Sequence, residues 1–199
     1  MLIEVAASCT VAVVALALAT QTGPVQRLDD RIERRVGRVR SRLHRTARIA
    51  TLPGENFGHP TMGAATVLVV VAATGHAPLR VVLPLAAASL GAIIAHHAVK
   101  LVYHRPRPAS ALARGKTEPA FPSGHTADST AVLVTAVYVL TQQGVLPAGV
   151  AVLLASLIAL TTGLSRVALG WHWATDVLGG WLTGLGVAAG CIALYGALG

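Results

Sequence analysis

Long apolar runs alternate with short polar interruptions along the chain, and most of the runs are of membrane length. A helix needs about 20 mostly apolar residues to cross the hydrocarbon core of a bilayer. Ile3–Thr20, Leu79–Tyr103, Ala148–Leu164 and Val177–Leu198 approach or exceed that length, and Thr126–Leu140 adds a further run. Thr61–Gly75 is short and needs its flanks or a thin bilayer to cross. Pro53-Gly54, Pro78, Pro106 to Pro108, Gly144 to Pro147 and Gly170 fall between the runs, where helix breakers belong. The pattern predicts an all-α, polytopic bundle of about six transmembrane helices, organised as a single membrane domain over residues 1–199. The first span, within residues 1–20, opens with Glu4 and has no Lys or Arg ahead of it. It lacks the basic leader of a signal peptide and is expected to be a retained helix.

Residues 25–50 follow a different pattern. They are rich in Arg, with Leu28, Ile32, Val36, Val39 and Leu43 recurring every three or four positions. That spacing places the apolar side chains on one face of a basic amphipathic helix lying in the membrane interface; a basic cytosolic tether is the alternative. Composition supports an integral multi-pass cell-membrane protein. The 199 residues are 54% hydrophobic and 12% charged, about half the charge of an average soluble domain, with a mean hydropathy of +0.64.

The net charge of +8 raises the question of nucleic acid, and its distribution answers against it. Nine of the sixteen Lys and Arg residues lie between Arg27 and Arg48. Lys100, Arg105, Arg107, Arg114, Lys116 and Arg166 lie in or beside two later inter-helix segments, without the interleaved aromatics of a single-strand binding platform. Membrane lipids and an anionic, phosphorylated lipid are the expected partners. Cys9 and Cys191, far apart within apolar segments, read as small buried hydrophobes rather than a metal site.

Three clusters carry chemistry. Lys100 ends one apolar run and is followed by Arg107-Pro108; Phe121-Pro122-Ser123-Gly124-His125 precedes the next; Ser165-Arg166, His172 and Asp176 bridge the last two. An even number of crossings between them brings all three to one membrane face. Phosphoryl transfer spreads negative charge over equatorial oxygens, so catalysis is chiefly positioning and cationic stabilisation. Lys100, Arg107 and Arg166 offer three cations, and Pro122-Ser123-Gly124 opens a helix whose free N–H groups make an anion site. His172 and Asp176, four apart, share a helix face, so the carboxylate can fix the imidazole tautomer and free the other nitrogen to attack. His125 is then the general acid for the departing alcohol and the base for water. Neither a carboxylate cluster for magnesium nor zinc-ligand spacing is present, so the expected chemistry needs no metal or other cofactor.

These clusters resemble the type 2 phosphatidic acid phosphatase family, also called PAP2 or lipid phosphate phosphatases. The family pattern is K-x6-R-P, then P-S-G-H, then S-R-x5-H-x3-D, and every fixed position is matched between Lys100 and Asp176. The resemblance implies His172 as nucleophile, His125 as acid/base, Asp176 as its orienting partner, and phosphate contacts from Lys100, Arg107, Ser123, Gly124 and Arg166. It implies hydrolysis of a phosphomonoester or pyrophosphate of a glycerolipid or polyprenyl lipid through a phosphohistidine. Two other classes share parts of the pattern. A vanadate-dependent haloperoxidase uses a kindred anion site, but those enzymes are soluble. A non-catalytic anionic-lipid binder or transporter has no use for a His172–Asp176 pair.

Several polar residues stay outside these assignments. Arg105, Arg114 and Lys116 read as interface anchors, and Trp171 and Trp173 as an aromatic belt. His96 and His97 lie within an apolar run and suit packing or hydrogen bonding. Asp128, a turn after His125, can tune it or read a head group, while Glu55, Asn56 and His59 suit a polar turn. With six spans, fifteen of the sixteen Lys and Arg share the candidate site's face, which the positive-inside rule makes cytoplasmic. The family resemblance favours an extracytoplasmic site, and is given the greater weight because six of the fifteen lie in or beside the motifs themselves.

Overall fold

In the computed structural model, helices form wherever the apolar runs predict them; residues 1–76 and 78–198 are described. In chain order they are α1 (Leu2–Ala19), α2 (Gly23–Ala50), α3 (Gly58–Thr74), α4 (Leu79–Val102), a short α5 (Ala109–Leu112), α6 (Gly124–Gln142), α7 (Ala148–Ala168) and α8 (Ala174–Ala197). A single 3₁₀ turn, Leu52–Gly54, joins α2 to α3. Pro78 and Pro147 stand immediately before α4 and α7, where a missing N–H costs nothing because no intrahelical partner exists there.

Four of these helices (α1, α4, α7 and α8) are long and apolar enough to cross a membrane, and α3 is apolar but shorter. The runs expected to span at Thr61–Gly75 and Thr126–Leu140 form α3 and α6; α6, unlike the four, is not apolar enough by composition to count as a span, and its polar residues go with its place in the bundle. It is the central helix, packed by α3, α4, α7 and α8. Its Thr126, Ser129, Thr130 and Thr135 are all buried among protein rather than turned to lipid. α1 is the opposite case. Among the described residues it packs chiefly on α8, and only 6% of its apolar window is buried, which leaves most of its side chains open to lipid. Hydropathy along this chain therefore reports contact with lipid more than membership of the bundle.

Small residues bring α8 against α6. A Cβ at Gly180 would stand 2.7 Å from the Ser123 carbonyl oxygen, and one at Gly184 would stand 2.6 Å from that of Ala127. Both glycines thus admit α6 backbone where any side chain would collide, the usual device for close helix packing in lipid. This contact matters for the site because α6 and α8 both start at the same end of the bundle.

α2 leaves α1 through a short turn and packs across the ends of α7 and α8. The expected apolar face is only partly used: Ile32 and Val36 are half-buried, whereas Leu28, Val39 and Leu43 stay exposed. The seated face is centred instead on Asp29 and Ala47, both buried. Arg40 donates from Nε to the Ala168 carbonyl at 3.0 Å, and Arg114 donates to Leu169 and Gly170 oxygens at 2.6 and 3.1 Å. Two guanidinium groups thereby satisfy carbonyls left open at the C-terminus of α7 and meet its negative pole.

Candidate active site

α4, α6, α7 and α8 deliver the three motifs to one end of the bundle. Lys100 lies in the last turn of α4, Arg166 in the last turn of α7, and Ser123 is the N-cap of α6. Asp176 sits at the third position of α8, closing a capping box in which its Oδ2 accepts the Trp173 N–H at 2.9 Å. The Ser123 N–H donates to the Asp176 carbonyl at 2.9 Å, tying the start of α6 to the start of α8.

Lys100, Arg107, Gly124, His125, Arg166 and His172 line one cleft of about 540 Å³. Ser123 and Asp176, both 0% exposed, stand behind its wall rather than on it. His172 is itself 2% exposed. Its Nε2 lies 3.3 Å from Arg107 Nη1, and its Nδ1 lies 3.5 Å from Asp176 Oδ2, close enough for ion pairing but not hydrogen-bonded. A guanidinium only donates, so Nε2 must hold a lone pair and the neutral ring carries its proton on Nδ1, toward the carboxylate. Burial, followed by the charges of Arg107, Arg166 and Lys100, drives the His172 pKa well below the ordinary imidazole value. The ring is therefore neutral at physiological pH, with its Nε2 lone pair turned to Arg107.

Arg107 is fixed by the Glu118 and Trp171 carbonyls, at 2.8 and 3.0 Å, and Arg166 Nη1 donates to Thr51 Oγ1 at 2.7 Å. The helix N-terminus of α6 and these cations make a cradle suited to a phosphoryl group. Among the described residues, no group of three or more His, Cys, Asp or Glu side chains is placed to hold a metal ion.

The site contains residues that the motifs do not include. Glu55, expected in a polar turn, places Oε2 3.3 Å from His125 Nε2. The turn carrying it packs so tightly on α6 that a Cβ at Gly54 would stand 2.5 Å from the His125 carbonyl oxygen. His59 bonds Ser89 at 2.7 Å and lines the cleft with His96 and Asp128, whose Nε2 and Oδ1 are 3.4 Å apart. His96 also packs its ring over Gly124, whereas His97 is exposed and bonds the Ile93 carbonyl of its own helix at 2.9 Å. Trp171 lies under Arg114, 3.9 Å from ring to guanidinium, and lines the cleft beside His172.

Arg105 requires a correction. Read as an interface anchor, it is 7% exposed and bridges Asp29 and Asp176, donating at 2.6 Å to each. Burial opposes its charge, but Asp176 and Asp29 outweigh burial and hold its pKa above the ordinary guanidinium value. No local signal at Arg105 distinguishes it from Arg114; the partner that buries it lies far upstream in α2.

Histidines facing a cluster of cations and a helix N-terminus, at one end of an apolar helix bundle, form the candidate site. The sequence profile of the PAP2 superfamily matches residues 81–199, and the chain belongs to that superfamily, as a phosphoric monoester hydrolase. A solved structure from Bacillus subtilis, described as the first transmembrane PAP2 type phosphatidylglycerolphosphate phosphatase, is similar over 98% of this chain and 97% of its own, with a TM-score of 0.85 and 24% sequence identity. At that identity the likeness establishes the fold, here including α1 and α2, which precede the profile's match. No curated protein sequence matches the chain significantly.

Proposed function

We propose that this protein removes the terminal phosphate of a membrane lipid through a phosphohistidine on His172. The observation that carries the reading is the disposition of His172, with Nε2 facing Arg107 at 3.3 Å and Nδ1 facing Asp176 at 3.5 Å. The substrate phosphate sits among Lys100, Arg107, Arg166 and the start of α6, with Ser123 and Gly124 shaping the turn. Nε2 of His172 attacks phosphorus, a P–N bond forms, and the P–O bond to the lipid breaks. His125 gives its proton to the leaving oxygen. Asp176 stabilises the charge that develops on the His172 ring. Water, deprotonated by His125, then attacks phosphorus, and inorganic phosphate leaves as the P–N bond breaks.

Burial, followed by the charges of Arg166, His172, Lys100 and Arg107, pushes the His125 pKa down to about 2. The ring therefore holds a proton only once a bound phosphate offsets those cations, with the Glu55 carboxylate 3.3 Å away working in the same direction. The similar Bacillus subtilis protein is described as a phosphatidylglycerolphosphate phosphatase, which makes a glycerolipid phosphate the first substrate to test. A polyprenyl pyrophosphate offers the same terminal group and is the second. We place the site on the extracytoplasmic face, following the family resemblance.

The test is phosphate release in detergent, without added metal and with EDTA present. The panel comprises phosphatidic acid, phosphatidylglycerol phosphate and a polyprenyl pyrophosphate. Turnover of at least one, blocked by vanadate as a five-coordinate mimic of the transition state, is expected. Turnover lost to EDTA and restored by magnesium or zinc would overturn the metal-free mechanism.

A further inference from the structure

We propose that Asp29 and Arg105 are positioning residues that hold Asp176, and through it His172, in line for attack; the inference rests on the reading of His172 as nucleophile. Asp29 belongs to α2, outside every motif, yet it is 2% exposed at the heart of the polar end of the bundle. Its Oδ2 accepts Arg105 Nη2 at 2.6 Å, and its Oδ1 accepts the Thr175 N–H at 3.1 Å. Arg105 Nη1 donates at 2.6 Å both to Asp176 Oδ1 and to Thr175 Oγ1, and the Thr175 hydroxyl bonds Asp29 Oδ2 at 2.5 Å.

The guanidinium is therefore a plate clamped between two carboxylates. Its rigid fork reaches both at once, which a lysine ammonium on a flexible stem does not. With Arg105 on Oδ1 and the Trp173 N–H on Oδ2, both oxygens of Asp176 are held, and the one nearer His172 has no freedom to swing away. Arg105 does not line the cleft, so it cannot act by touching the phosphate. What it governs is the carboxylate that faces His172 Nδ1 at 3.5 Å and meets the charge that develops on its ring, and Asp29 governs Arg105 in turn. The surface helix α2 thus completes a site whose recognisable motifs begin only at Lys100.

The test uses the full chain in detergent, with histidine ¹⁵N labelling and Arg105→Gln, Arg105→Lys and Asp29→Asn variants. Nitrogen shifts should report the Nδ1–H tautomer of His172 in the parent and a displaced Nδ1 resonance in Arg105→Gln, where the facing carboxylate has moved. On short-chain phosphatidic acid or whichever panel lipid turns over, kcat should fall about a hundredfold, as for a misplaced reacting group. KM and the affinity for inorganic phosphate should hold within about threefold, because uniform phosphate binding is untouched. Arg105→Lys should recover part of kcat, and Asp29→Asn should cost nothing further in the Arg105→Gln background, as expected of coupled residues. Asp29→Asn is isosteric and carries the test if Arg105→Gln does not fold. An unchanged Nδ1 resonance and kcat, losses that add, or a fall in phosphate affinity matching that in kcat would overturn the proposal. Absence of a phosphohistidine in an active parent enzyme would instead overturn the reading of His172 on which it stands.

Discussion

His172 faces opposite charges with its two ring nitrogens, and this polarity sets what each neighbouring residue should do when changed. His172→Ala should abolish turnover and the acid-labile phosphate trapped on the protein from a radiolabelled lipid, while the chain still inserts and folds; unchanged turnover would rule out the assignment. Because burial and three cations favour the neutral ring, its titration moves to the acid side of an ordinary imidazole. Histidine ¹⁵N NMR should therefore find His172 still uncharged at the pH of about 6.5 where an ordinary imidazole is half protonated. His125 has a separable role. Phosphoenzyme formation in His125→Ala should fall on the order of a hundredfold for a lipid phosphate, and far less for an aryl phosphate whose leaving group hardly needs a proton. Equal losses in that step for both substrates would make His125 a binding or structural residue. Part of this chemistry is legible from residue type and spacing: His172 and Asp176 do face each other, though not from one helix face as the four-residue step suggests. His172 lies in the turn before α8, and only Asp176 is on the helix. Glu55 and Arg105 are not legible that way. Each acquires its place from an element distant in sequence, Glu55 from the turn lying on α6 and Arg105 from Asp29 on α2.

At the scale of elements, the apolar runs locate the spans to within a few residues, since contact with hydrocarbon enforces composition directly. What they do not reveal is which helix lies at the centre. α6 is less apolar than the four spans because protein surrounds it, and only the packing of four neighbours makes its buried threonines intelligible. α2 was legible as a helix and as basic, yet its seating on Asp29 runs against the apolar stripe that its sequence displays. The α6–α8 contact yields a prediction of its own. Gly184→Leu, deep in that contact and remote from the cleft, should force the helices apart where a Cβ already stands 2.6 Å from backbone. Overpacking typically costs about 1–3 kcal/mol, so a lowered Tm in detergent is expected. Because His125 rides on the start of α6 and Asp176 on the start of α8, kcat should fall with it while the far milder Ser41→Ala on exposed α2 changes neither.

For the whole molecule, the unequal distribution of charge becomes a question of sidedness. Arg27, Arg31, Arg34, Arg35, Arg38, Arg42 and Arg45 are exposed on α2, on the same end of the bundle as the cleft, and the positive-inside rule places such clusters in the cytoplasm. The extracytoplasmic assignment proposed above is tested at Thr117, exposed in the segment between α4 and α6. In a Cys9→Ala background, with Cys191 buried, Thr117→Cys in intact cells should react with an impermeant maleimide before the membrane is opened. Labelling only after permeabilisation would reverse the assignment. The cleft also carries a kinetic consequence. Its lining runs from the phosphate cradle out to Ile93 and Leu101, the latter 79% exposed on the outer side of α4. A lipid taking that path arrives sideways, within the plane of the bilayer, and never as a free solute. The enzyme then answers to crowding in two dimensions: diluting substrate with inert detergent slows it even when the amount per millilitre is held constant, whereas adding buffer to the same micelles leaves its rate per molecule unchanged.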